Sequence, residues 1–215
     1  MRFPRLQIER RRDKAMQEHS APRAFGKPMW LLWSWWRGDA LPVCSGVSGL
    51  TVEESKHVEL LSHLMGIPEA ALREQLWLGH RAYLARLGTL PVAVGWSATG
   101  EVALLGGRVT LHVPPHHRYL YGFVTHPDWR GRGIYPHLLQ AILRTEEQEY
   151  FWIMHLRENT SSQRGIYKAG FRVAGRLSFL PTGGLGLIPP PGDSERAHVA
   201  AHLLGLPLIG ETEDT

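Results

Sequence analysis

The stretch YLYGFVTHPDWRGRGIYPHLL, residues 119–139, decides the fold. Its first part, Tyr119 to Thr125, is rich in aromatic and β-branched residues and reads as a strand that ends by Pro127. Arg130, Gly131, Arg132 and Gly133 form a short loop. A helix follows, with Leu138, Leu139, Ile142 and Leu143 on one apolar face. The start of a helix leaves backbone N–H groups without partners and carries the positive end of the dipole, so it attracts anions. Glycines let the backbone come close to a phosphate. Arg130 and Arg132 add charge that phosphates favour. Pro136 lacks an N–H, a loss that the first helical turn tolerates. By its physics alone the stretch is predicted to be a phosphate-binding turn.

Which phosphate ligand it holds is narrowed by what is missing. The P-loop pattern Gly-x-x-x-x-Gly-Lys-Ser/Thr is absent. A dinucleotide Gly-x-Gly-x-x-Gly would need glycine where Pro136 stands. The preceding strands also pattern as an antiparallel meander: Ala82 to Leu87 and Val92 to Ala98 around Gly88, then Glu101 to Leu105 and Val109 to Val113 around Gly106 and Gly107.

Further out, Thr51 to Glu54 has the form of a capping box, with a helix carrying Val58, Leu60, Leu61, Leu64 and Met65 after it. Gly66 ends that helix, and Pro68 opens a second one that runs to about Leu78. Downstream, Tyr150 to Leu156 reads as a strand, Ser161 to Ala169 as a helix stopped by Gly170, and Arg172 to Leu180 as a last strand. From Pro181 a Pro/Gly-rich linker leads to a short helix near Ser194 to Leu204 and an acidic tail. Met29 to Trp36 reads as an early strand or an apolar flap. The order of elements predicts a mixed α/β, or α+β, domain. The expected division is residues 1–45 as a basic and then Trp-rich extension, 46–181 as the domain, and 182–215 as linker, helix and tail.

At 215 residues the chain can bury one sizeable core. The net charge is +4, and much of it comes from Arg2, Arg5, Arg10, Arg11, Arg12 and Lys14. That arm reads as a solvated terminus, and nucleic acid is not expected as a partner. A lone Cys44 excludes an internal disulfide. With no long apolar run and no secretory pattern, the expectation is a cytoplasmic protein that avoids membranes. His112, His116 and His117 lie close together, but with no Cys or acidic neighbour they read as a solvent-exposed turn, so no metal is expected. Trp30, Trp33, Trp35 and Trp36 suit core packing, an acceptor pocket or a homodimer contact.

The run from Val124 to Ile134 resembles the acetyl-CoA signature of the GNAT N-acetyltransferase superfamily: Arg or Gln, two residues, Gly, one residue, then Gly or Ala, after a strand. Asn159 to Phe171 resembles that family's second motif, an Asn followed at helical distance by Lys-x-Gly-Phe. The resemblance implies a GNAT fold: a mostly antiparallel central sheet with one splayed parallel pair, flanked by helices. It implies acetyl-CoA as the acyl donor and an amine-bearing acceptor. Phe123, Val124 and Thr125 would offer backbone groups to the acetyl and pantetheine part. Arg130, Gly131, Arg132, Gly133, Ile134, Tyr135 and Pro136 would line the pyrophosphate turn. Asn159 and Ser162 would hold the pantetheine arm.

Acyl transfer to an amine needs a proton acceptor for nitrogen and a proton donor for sulfur. Met154 and Ile166 stand at the positions where many relatives keep an acidic base and a tyrosine acid. Tyr167 is the next residue and the expected donor. His155, His126 and Tyr121 are candidate substitutes for the missing residues, and a water chain is a further candidate base. The same two departures motivate the rival reading, a non-catalytic acyl-CoA-binding or sensing module. The aromatic content motivates a third, a transferase for a longer acyl or an aminoacyl donor.

Overall fold

The computed structural model describes residues 29–44, 47–180, 183–192 and 195–209. The basic arm at residues 2–14 and the tail from residue 210 lie outside the described residues. Among the described residues, ten strands and five α-helices follow in chain order: β1 (Trp30–Trp36), β2 (Leu50–Ser55), α1 (Val58–Met65), α2 (Glu69–Trp77), β3 (Arg81–Leu87), β4 (Leu90–Ala98), β5 (Gly100–Leu104), β6 (Val109–Val113), β7 (His117–Thr125), α3 (Ile134–Thr145), β8 (Tyr150–Leu156), α4 (Thr160–Lys168), β9 (Arg172–Phe179), β10 (Leu185–Ile188) and α5 (Glu195–Leu204). Eight strands form one sheet in the order β10-β9-β1-β8-β7-β4-β3-β2, and β5 pairs with β6 apart from it. Every neighbour in the large sheet is antiparallel except β7 and β8, which run parallel. This is the mixed α/β layout that the sequence predicts.

Alternating side chains feed cores on the two faces of the sheet. On one face α3 and α4 cover Trp33, Trp35, Tyr83, Leu120, Phe151 and Ile153. On the other face α1 and α2 cover Leu84, Val94 and Trp96, while α5 and the β5–β6 hairpin cover Trp30, Leu32, Tyr119 and Trp152.

Three expectations need correction and one is decided. Thr51 to Glu54 is not a capping box but the middle of β2, paired with Tyr83 to Arg86 of β3. Leu50 and Val52 turn inward and Glu53 faces out to Arg86 (2.9 Å), a period of two that outweighs the local cap pattern. Helix α1 instead starts after His57, with no side-chain cap. The linker after Pro181 contains a strand, β10, which extends the sheet beyond β9. The His cluster is not a uniform exposed turn: His117 is buried and accepts the indole N–H of Trp152 at 2.9 Å. Met29 to Trp36 is the strand of its two readings, inserted between β8 and β9.

Two buried ionic groups join distant parts of the chain. Arg196 of α5 forks onto both carboxylate oxygens of Asp39 (2.7 and 2.9 Å), donates to Ser34 (3.1 Å) and lies over the Trp36 ring. This ties the C-terminal helix to β1. Glu146, just past the end of α3, takes Arg118 (3.0 Å), Arg81 (3.1 Å) and the Tyr83 hydroxyl (3.0 Å). Arg37 donates to the carbonyls of Leu143, Glu146 and Gln148 close by and so closes the C-terminal end of α3. These groups hold α3 by its far end and leave its first turn facing the site.

Candidate active site

The parallel pair opens. Its ladder runs from His117↔Tyr150 to Leu120↔Ile153 and stops there, although β7 continues to Thr125 and β8 to Leu156. A β-bulge accompanies the parting. Gly122 and Phe123 together oppose Gly95 of β4, so the β4–β7 register shifts between Val94 and Trp96. Gly122 sits at φ 64°, a conformation that favours glycine. The Phe123 ring lies over Gly95 and leaves no room there for a Cβ. Beyond Leu120, then, one edge of β7 faces an opening instead of a neighbour. The Thr125 carbonyl accepts from Arg130 Nε at 3.1 Å, so Arg130 braces the strand end.

The strand leads through a short turn, Pro127–Trp129, into Arg130 to Gly133 and α3. Gly131 (φ 77°) and Gly133 (φ 79°) take left-handed conformations, and Gly133 is the N-cap of α3. No side chain caps that end, so the first N–H groups face outward. The Arg132 guanidinium lies over the Trp129 ring at 4.6 Å. A cleft of about 690 Å³ begins at this turn. Gly131, Arg132, Gly133 and His137 line one side of it, and Tyr167, Lys168 and Arg172 another. The residues of the loop after β1, including Pro42 and Cys44, form a third wall, held to α3 by Gln140 donating to the Pro42 carbonyl at 2.8 Å. Lys168 stands in the second motif and is legible as a cation there. The Pro42–Cys44 wall is far from both motifs in sequence, and no local pattern announces it.

Asn159 caps α4: its Oδ1 accepts from the Ser162 N–H at 3.0 Å and from the Ser161 hydroxyl at 2.8 Å. The amide nitrogen of Asn159 keeps two protons to donate. Ile166 is fully buried against the core, and the one-residue step turns Tyr167 outward to 69% exposure on the cleft. A different phenol stands at the opening. Tyr135, in the first turn of α3, packs on Phe123 (ring centroids 5.2 Å) and on Gly165 of α4, with its hydroxyl 3.4 Å from that of Ser162. Burial pushes the Tyr135 phenol pKa well above its ordinary value.

The candidate proton acceptors separate in space. His155 lies on the α3/α4 face beside Trp33; its Nδ1–H donates to the Leu156 carbonyl at 2.7 Å, and burial lowers its pKa. His126 follows the end of β7, 3.8 Å from Asp128. Tyr121 lies on the opposite face and bonds to His80 and Gln75.

The Acetyltransferase (GNAT) family model matches residues 59–171. The chain belongs to the GNAT acetyltransferase family. No curated protein matches it. Among solved structures, a GNAT-family acetyltransferase from Colwellia psychrerythraea is 14% identical with TM-score 0.50, covering 70% of this chain and 54% of that one. A GCN5-related N-acetyltransferase from Kribbella flavida is 16% identical with TM-score 0.47, covering 69% and 55%. AAC(6')-Iy, in complex with the bisubstrate analogue CoA-S-monomethyl-acetylneamine, is 19% identical with TM-score 0.47, covering 62% and 97%. The Colwellia likeness shows a GNAT fold, and this chain spans about half the length of the first two structures. Among the described residues no helix is long and apolar enough to cross a membrane.

Proposed function

We propose that this protein transfers an acetyl group from acetyl-CoA to an amine, giving coenzyme A and an amide. The observation that carries this is one continuous strand–turn–helix: β7 parts from β8 after Leu120 and leads directly to the uncapped start of α3. A thioester in the opening meets the backbone of Phe123, Val124 and Thr125. The pyrophosphate then meets the N–H groups from Gly131 to Tyr135, with Pro136 giving shape and no proton. Arg132, Lys168 and Arg172 supply positive charge along the cleft. Asn159 donates to the pantetheine arm, and Ser162 stands next to it on α4. Holding the amine and thioester together supplies much of the rate.

Thermal unfolding with and without acetyl-CoA tests the site. Ligand at about a hundred times its dissociation constant stabilises by roughly 2.7 kcal/mol. For a chain of this size that raises Tm by about 5 to 10 °C. Gly133→Glu places a carboxylate and a strained backbone on the turn, and the expected shift is then zero. An unmoved wild-type Tm at millimolar acetyl-CoA sinks the proposal.

The departing thiolate takes its proton from Tyr135, whose ring lies against Phe123 and whose hydroxyl is shared with Ser162. Tyr135→Phe is expected to lower kcat about 100-fold, within the usual range for a lost proton donor. Tyr167→Phe, on the exposed cleft, is expected to change kcat less than about threefold; equal losses in both variants exclude the assignment. Met154 and Ile166 favour a second reading, a module that binds acyl-CoA without turnover. Release of free thiol with an amine present separates the two.

A further inference from the structure

Acyl transfer needs a nitrogen lone pair, and an alkylamine at neutral pH arrives as ammonium. Its proton has to leave on the face from which the acceptor comes. The α3/α4 face of the opening is filled by Phe123, Tyr135 and α4. On the other face, α1 and α2 cover one core, and α5 with the β5–β6 hairpin covers another. Tyr121 packs at the margin of both cores and remains half-buried, not sealed. It is the first residue of β7 past the last paired residue, Leu120, and Met154 is its counterpart on β8 after Ile153. Tyr121 therefore borders the place where a thioester carbonyl would sit, on the face opposite α3 and α4.

The Tyr121 hydroxyl lies 2.5 Å from His80 Nδ1 and donates to the Gln75 side-chain oxygen at 2.9 Å. His80 is 5% exposed, and its backbone N–H donates to the Gln75 carbonyl at 3.0 Å. The end of α2 and the start of β3 thus hold the ring and the carboxamide in one frame. Burial lowers the His80 pKa, the Glu101 backbone carbonyl works against that shift, and the positive charge of Arg118 adds to it. A phenol donates one hydrogen bond and accepts two. With His80 and Gln75 served, one lone pair is left for a third partner.

We infer that Tyr121 and His80 form the proton relay for the amine acceptor, with Gln75 orienting the phenol; this rests on the acyl-transfer reading above. The ammonium N–H bond breaks as its proton passes to the Tyr121 oxygen. With His80 in its Nε2–H tautomer, the Tyr121 proton turns from the Gln75 side-chain oxygen to His80 Nδ1 and passes to it. The freed lone pair attacks the thioester carbon, and the C–S electrons leave on sulfur. The second nitrogen proton, released as the amide forms, balances the one that Tyr135 delivers to sulfur. His80 then returns its proton through Tyr121 to solvent. Tyr121 is the catalytic residue of the pair, His80 acts through it, and neither adjoins the phosphate turn.

Two small nucleophiles test this on the full chain with saturating acetyl-CoA. Propylamine is charged at pH 7 and hydroxylamine is already neutral. Tyr121→Phe and His80→Gln are expected to lower kcat/KM for propylamine about 100-fold at pH 7. The loss shrinks as pH rises toward the amine's own pKa. Hydroxylamine transfer is expected to fall less than about fivefold, with an unchanged acetyl-CoA Tm shift as evidence that both variants fold. Equal losses with the two nucleophiles mean a structural role for the pair and overturn the relay, as does no loss with either. Wild type that binds acetyl-CoA and transfers to neither nucleophile overturns the acyl-transfer reading itself, and the relay with it.

Discussion

Glu146→Ala is expected to lower Tm by roughly 10 °C or more without touching the proposed acyl-donor site. Glu146 is 1% exposed and faces two guanidinium groups. Arg81 is 42% exposed by side chain and can turn to water, so its ion pair counts for little alone. Arg118 is buried and cannot escape. Removing the carboxylate leaves that cation uncompensated, a change that costs about 3 to 5 kcal/mol in comparable buried pairs. For a domain near 200 residues each kcal/mol is about 2 to 4 °C. The Tyr83 hydroxyl loses its acceptor as well. Tyr83→Phe removes one hydrogen bond and keeps the charges, so about 1 kcal/mol is expected there. Melting curves of the two variants check the ordering. A Glu146→Ala protein within 2 °C of wild type by that measurement would show that Arg118 finds other compensation.

What the sequence makes legible, and what it hides, divides along the distance over which each signal acts. The turn between β7 and α3 is written in adjacent residues: a strand, two arginines, two glycines and a helix. The hairpin around Gly106 and Gly107 and the αL stop at Gly66 are equally local, and the fold has both. Thr51 to Glu54 misleads because a four-residue cap pattern and a strand with period two coincide there, and only pairing with β3 decides between them. β10 hides in a Pro/Gly-rich stretch because a four-residue strand gains its stability from the edge of β9, which local propensity does not see. The place of β1 between β8 and β9 is a long-range fact of the same kind. Around the candidate site, the motifs point to the turn and Asn159, whereas the contact of Tyr135 with Phe123 joins α3 to β7 and is not part of either motif's pattern. The pairing of His80 with Tyr121 spans 41 residues, so no spacing rule reaches it.

The bulge that opens the parallel pair makes the last prediction. Gly95 is glycine because the Phe123 ring occupies the space of a Cβ. Gly95→Ala forces that ring aside, and overpacking of this sort costs about 1 to 3 kcal/mol. The larger effect falls on turnover. Phe123 lies on the strand edge that would polarise the thioester, and its ring is the surface on which Tyr135 rests. A shift of about 1 Å in such a group can cost 100-fold in rate. Gly95→Ala is therefore expected to lose about 100-fold in kcat with a small amine. Its acetyl-CoA Tm shift survives, since the phosphate turn is untouched. Adding Phe123→Ala removes the clash, so the double variant is expected to be more stable than the sum of the two single losses by about 0.5 to 3 kcal/mol. A double-mutant cycle on melting free energies reads this directly. Strict additivity, within about 0.5 kcal/mol, would mean that the ring does not dictate glycine at position 95. The bulge would then owe its shape to the left-handed Gly122 alone.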